Sequence, residues 1–177
     1  VCSSDLVVYS MASANLPWVD MSYEKLSSEY VLHPLMTAVS TLTVNNGSDT
    51  YTFDIGTKET ATTNDDGEES TTTTTSVMYG DSEINSSYFS TFFQNLTLLK
   101  KSDTSSDKPS GKAVFTAEYK YTDGSTDTVK FYDAGGNKYL AEVNGISVGH
   151  LYKTNPSKLI EQVKTVANNK EVSDFAI

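Results

Sequence analysis

Two periodicities divide the chain. From residue 39 the pattern has a period of two: Val39, Thr41 and Thr43 alternate with Ser40, Leu42 and Val44, and Tyr51, Phe53 and Ile55 alternate again after Asn46-Gly47. Asn-Gly tolerates the positive φ that a tight turn between twisted strands requires, so residues 37–45 and 50–55 are expected as a hairpin. A strand over 76–79 and a turn at Gly80-Asp81 follow. The period then changes: Phe89, Phe92, Phe93, Leu96 and Leu99 fall on one helical stripe, which predicts an amphipathic helix over 86–99. Asn85 or Ser86 can accept a free amide at its start, and Lys100 and Lys101 stand at its carbonyl end. Past a polar linker over 102–110, strands are predicted at 112–121, 127–132, 138–143 and 146–152, separated by Asp123-Gly124, Gly135-Gly136 and Asn144-Gly145. A last helix opens at Asn155-Pro156, with Leu159, Ile160, Val163, Val166 and Ala167 on its buried face.

The two halves read alike, each a run of strands closed by a helix. The expected fold is therefore α+β: antiparallel sheets with packed helices, arranged as two related strand-rich/helix units in tandem, 35–101 and 111–170. Residues 1–34 read as the end of a truncated preceding unit and a connector, with a short apolar run at Leu6-Val7-Val8-Tyr9 and a weak helical stretch over 23–29 before Pro34. Within the first unit, residues 57–76 combine Asp65, Asp66, Glu68 and Glu69 with Thr71, Thr72, Thr73, Thr74 and Thr75. Nothing there can be buried, so the segment is expected as a mobile loop, or at most a strand-edged hairpin tip.

Charge narrows the range of partners. The 177 residues carry a net charge of -10 and no arginine. Nucleic-acid binding draws its affinity from cations on phosphates, and bidentate recognition of phosphate or carboxylate needs the guanidinium fork, so both are disfavoured. A single cysteine, Cys2, excludes an internal disulfide and a multi-thiolate zinc site. Cys2-Ser3-Ser4-Asp5 has the look of a lipidated N-terminus, but no hydrophobic signal region precedes it. No apolar run approaches the roughly 20 residues that span a bilayer.

Candidate chemistry is sparse. His33 and His150 are the two histidines, far apart in sequence and without local ligand spacing, so they are read as ordinary surface or edge residues and no metal is expected. The Asp65-Asp66-Gly67-Glu68-Glu69 run lacks the alternation of a calcium loop and reads as a solvated charge run. Neither a nucleophile elbow nor a phosphate loop occurs. Tyr119, Tyr121, Tyr132 and Tyr139, on adjacent predicted strands, are the candidate binding face for a sugar or peptide, although cross-strand packing explains them equally well. Asn-x-Ser/Thr triplets begin at Asn46, Asn85 and Asn95; such triplets arise easily in a chain rich in these residues, and the sequence alone draws nothing from them.

Residues 84–166 resemble a bacterial family catalogued as domain of unknown function 4340. The resemblance rests on Ser87-Tyr88-Phe89 leading Phe92-Phe93-Gln94-Asn95-Leu96, on Tyr119-Lys-Tyr-Thr-Asp-Gly-Ser, on Val129-Lys-Phe-Tyr, on Lys138-Tyr-Leu-Ala-Glu-Val-Asn-Gly, and on Leu159-Ile-Glu-Gln-Val. Val39-Ser-Thr-Leu-Thr-Val and Tyr51-Thr-Phe fit the same scheme and extend it over most of 35–168. Members look like envelope proteins with an N-terminal membrane anchor and an exported β-rich body, associated with ABC transporters of the gliding-motility kind. The resemblance implies a non-catalytic extracytoplasmic accessory or interaction domain whose partners are proteins of a membrane transporter complex, with the anchor missing from this chain. It brings no catalytic residue and no cofactor. The other reading is a cell-surface module that binds carbohydrate or peptide through the tyrosines.

Overall fold

The computed structural model describes residues 27–63 and 69–175. Eight strands form one continuous antiparallel sheet: β1 (Val39–Asn45), β2 (Thr50–Thr63), β3 (Glu69–Tyr79), β4 (Ser82–Ile84), β5 (Phe115–Tyr121), β6 (Thr126–Asp133), β7 (Lys138–Val143) and β8 (Ile146–Tyr152). Their spatial order is β4-β3-β2-β1-β5-β6-β7-β8. Two helices, α1 (Ser86–Thr97) and α2 (Thr154–Ala167), pack on each other over the sheet. None of the helices is long and apolar enough to cross a membrane, among the described residues.

This corrects the expectation of two tandem units. The first strand of each expected unit, β1 and β5, pair directly, with Leu42 opposite Tyr119 and Val44 opposite Ala117. Kept apart, each unit would leave an apolar strand with unpaired amides at its edge; joining the two edges removes both liabilities at once. The phenylalanine stripe of α1 likewise does not serve one half alone. Phe89 lies 5.2 Å from Phe53 of β2, while Phe93 meets Tyr119 of β5 edge-on at 6.2 Å. One core results, running from Val77 through Phe53, Leu42, Tyr119 and Phe131 to Leu151, with Leu159 and Val163 of α2 above it.

The residues over 57–76, expected as a mobile loop or at most a strand-edged hairpin tip, are, where described, strand. Eleven consecutive pairs join β2 to β3, from Phe53 with Tyr79 to Thr63 with Glu69. Threonine's branched Cβ favours extended backbone, a preference that outweighs the lack of anything to bury. The acidic residues Asp65, Asp66 and Glu68 lie outside the described residues, as do the apolar run at 6–9 and most of the helical stretch at 23–29, whose described end at 27–29 is irregular. Helix α2 starts one residue earlier than Asn155, and Pro156 occupies its third position, where its missing N–H costs nothing.

The linker after α1 binds the sheet. Ser102 N–H donates to the His150 carbonyl on the outer edge of β8 at 2.7 Å, and the Ser147 hydroxyl donates to the Asp107 carbonyl at 2.6 Å. Val114 N–H then bonds Phe131 O as the chain enters β5. Leu140 points away from the helices, yet it is buried, because the strap formed by residues 107–110 lies beside it with Tyr132 and His150.

Candidate functional site

The four candidate tyrosines do not share one face. Alternation along β5 turns Tyr119 and Tyr121 toward the helices, and the pairing of Tyr139 with Leu151 and Asp133 puts Tyr139 on that side too. Tyr119 is 1% exposed and belongs to the core; burial pushes its hydroxyl well up from the usual tyrosine range. The half-buried Tyr121 donates to the Asp127 carboxylate at 2.7 Å, and burial together with that bond raises its pKa. Tyr139 lies under the Lys153 ammonium, 5.2 Å from the ring centre. Tyr132 faces the other way, toward Glu142, at 3.4 Å from Oε1. These are packing and pairing roles.

The histidines have separate surroundings. His33 stacks on Tyr30 at 5.2 Å, and its Nδ1 lies 3.2 Å from the Thr97 carbonyl at the end of α1. His150, on β8, is the centre of a clasp. Its Nδ1 is 2.8 Å from Asp103 Oδ1, its backbone N–H donates to the same oxygen at 3.1 Å, and Lys138 Nζ lies 2.7 Å from Asp103 Oδ2. Burial pulls the Asp103 carboxyl upward, but hydrogen bonds from Lys138 and from the ring and backbone of His150 outweigh it and hold the pKa at about 2. An ionised Asp103 can only accept, so Nδ1 is the donor in this contact. Nε2 faces the exposed Asp107 at 3.6 Å, beyond hydrogen-bond reach. Asp107 opens the strap and Asp103 precedes it in the same linker, so the cluster holds this segment against β8. It fixes the strap to the edge of β8 and occupies backbone groups that an edge strand would otherwise expose.

A second polar cluster sits where α1, α2 and the C-terminal segment meet. Asn95 is 2% exposed; its Nδ2 donates to Gln162 Oε1 and to the Ser173 carbonyl, both at 3.0 Å, and its Oδ1 accepts from Phe175 N–H at 2.9 Å. Sequence reasoning passes over it, although a signal is present: position 95 falls between Phe92 and Leu99 on the apolar stripe, where a polar side chain has to find partners. Nearby, a hollow of about 580 Å³ opens between the end of α1, the start of α2 and the end of β8, with Leu98, Lys101, Leu151, Tyr152 and Phe175 in its wall. Partial burial lowers the pKa of Lys101.

The β2–β3 ribbon extends beyond its neighbours in the sheet. Pairing of β1 with β2 stops at Thr41 with Asp54, and β4 covers β3 only from Val77 to Tyr79. Eight pairs, from Gly56 with Ser76 to Thr63 with Glu69, continue beyond them. At about 3.3 Å per residue this is an arm roughly 25 Å long. It contains no apolar side chain larger than Ala61, and Thr57, Lys58, Glu59, Ala61, Thr71 and Thr73 are exposed. At its root Lys58 and Ser76 both reach Glu83 of β4, at 3.4 and 3.2 Å. Along the arm no strand pairs with the outer edge of β2 or of β3, among the described residues. No family model, no curated protein and no solved structure matches the chain.

Proposed function

We propose that this chain is a non-catalytic interaction domain that offers its β2–β3 arm to a protein partner. One observation carries the reading: eight residue pairs of ribbon continue past β1 and β4 with no strand on either outer edge, among the described residues. A two-stranded ribbon with nothing to bury is marginal in water, and a third strand added to an edge supplies the missing backbone bonds. The remainder of the sheet is protected in other ways, by a three-residue edge strand at β4 and by the Asp103–His150 clasp at β8. The resemblance of residues 84–166 supplies the setting, the extracytoplasmic side of a transporter-like envelope complex, with the anchor on a part of the protein beyond this chain. The carbohydrate- or peptide-binding reading keeps one supporting feature, the hollow beside Tyr152 and Phe175.

A photo-activated cross-linker placed at Ala61 and irradiated in the native cell tests the proposal. The expected product is a cross-link to a membrane-embedded transport protein, lost when residues 57–63 and 69–75 are removed and the arm is closed by a short turn. A cross-link to a cytosolic enzyme, or yields equal to those from a probe on the body at Lys164, would overturn it.

A further inference from the structure

The two edges of the arm differ. That of β2 carries Lys58 and Glu59, charged residues of the kind that discourage strand addition. That of β3 reads Ser70-Thr71-Thr72-Thr73-Thr74-Thr75-Ser76, without a charge, a proline or a bulge in its pairing with β2. This stretch is also a palindrome about Thr73. We propose that a second copy of this chain occupies the β3 edge, the two β3 strands pairing antiparallel about a two-fold axis through Thr73. The inference rests on the reading of the arm as an interaction element and assigns one of its edges.

A two-fold interface requires a surface complementary to itself. In antiparallel pairing about Thr73, Ser70 meets Ser76 of the second copy, Thr71 meets Thr75, Thr72 meets Thr74, and Thr73 meets itself. Every position faces a hydroxyl residue, and threonine pairs across antiparallel strands are favourable. The fold also fixes the register. β4 takes over the same edge at Val77, so a slide toward the body runs into Ile84 of the other copy, while a two-residue slide outward sets Glu69 opposite Thr75 and breaks the run of hydroxyl pairs. The chain's charge of -10 opposes self-association, but the antiparallel arrangement separates the two Glu69 positions by eight residues, about 26 Å. That is some three Debye lengths at physiological salt. The product is a four-stranded ribbon bridging two bodies, with the β2 edges outermost and still open. Its small contact area places it among weak, concentration-dependent dimers.

Sedimentation velocity on the full chain, from about 10 μM to about 1 mM, reads the association. The wild type is expected to move toward twice the monomer mass with rising concentration. Thr73→Lys and Thr73→Glu each set like charges face to face on the axis and are expected to weaken the dimer about tenfold or more. An equimolar mixture of the two restores it, which a folding defect could not do. A wild type that stays monomeric throughout, a Thr73→Lys chain that associates like the wild type, or a mixture no better than either variant alone overturns the inference. Thr73→Lys leaves the β2 edge intact, so the Ala61 cross-link persists in it if the partner reading holds; loss of the dimer and loss of the partner are thus separate results.

Discussion

Replacing Asn95 with alanine should be among the most damaging single changes outside the apolar core. The side chain makes three hydrogen bonds, to Gln162, to the Ser173 carbonyl and from Phe175 N–H. Each is worth about 1 kcal/mol, and the truncation also strands a buried amide at Phe175, whose unpaired cost is roughly 1–3 kcal/mol. Alanine recovers about 0.5 kcal/mol through its better helix propensity. The net loss is about 4–5 kcal/mol, which at about 2–4 °C per kcal/mol for a chain of this size lowers Tm by roughly 10–20 °C. Urea unfolding followed by far-UV circular dichroism gives the free energy and shows whether the slope has changed. Gln162 also donates to the Ser173 carbonyl at 2.8 Å, so Asn95→Ala and Gln162→Ala share partners and should show a coupling of about 1 kcal/mol in a double-mutant cycle. A loss below about 1 kcal/mol, or additive single changes, would refute the view that this network locks the C-terminal segment onto both helices.

Asp103 predicts a pH dependence. Its carboxyl is held at about 2 against an ordinary 3.8, so its contribution is complete above about pH 4 and is lost as the pH falls through 2. The side chain is 37% exposed, so the roughly 2.4 kcal/mol that such a shift implies is discounted for solvent screening to about 1 kcal/mol. Asp103→Asn should therefore lower the urea midpoint at pH 5 and narrow the difference between pH 5 and pH 2.5; an unchanged difference would count against the clasp. Gly149→Ala tests the strap from the other side. At φ +150° an added Cβ overlaps the Asp103 carbonyl oxygen, so the linker must lift off β8, with a stability loss of about 2–4 kcal/mol and faster amide exchange at Ser102 and His150.

Most of the elements are legible in the sequence because their residues serve local and global structure together. The stripe from Phe89 to Leu99 is helical by spacing, and its members from Phe89 to Leu96 lie on α1 as the lid of the core, with Leu99 just past the helix end; Asn144-Gly145 is a turn in both respects, with positive φ at each residue. What the sequence hides is long-range. Nothing local in Leu42 or Tyr119 announces that β1 and β5 will pair, because the pairing answers an edge problem that exists only once both halves have formed. The arm misleads for the opposite reason: the acids at 65–69 suggest a solvated loop, while the five threonines after them carry a strand preference that prevails. Asp103 and His150 stand 47 residues apart, and only the path of the strap brings them together. The tyrosines show the limit of alternation as a guide: it gives the right strands, but Tyr132 lies on the opposite face from Tyr119, Tyr121 and Tyr139.

The burial of Asn95 also constrains how the chain can be made. Asn95-Leu96-Thr97 is an acceptor triplet for N-linked sugar, and in the folded molecule Asn95 and Thr97 are 2% and 3% exposed. A glycan attached to the nascent chain would have to lie where Gln162, Ser173 and Phe175 close on the asparagine, and no rotation of the side chain brings it out while those bonds stand. The fold is thus open to biosynthetic routes that leave the triplet bare and closed to those that decorate it before α1 and α2 meet.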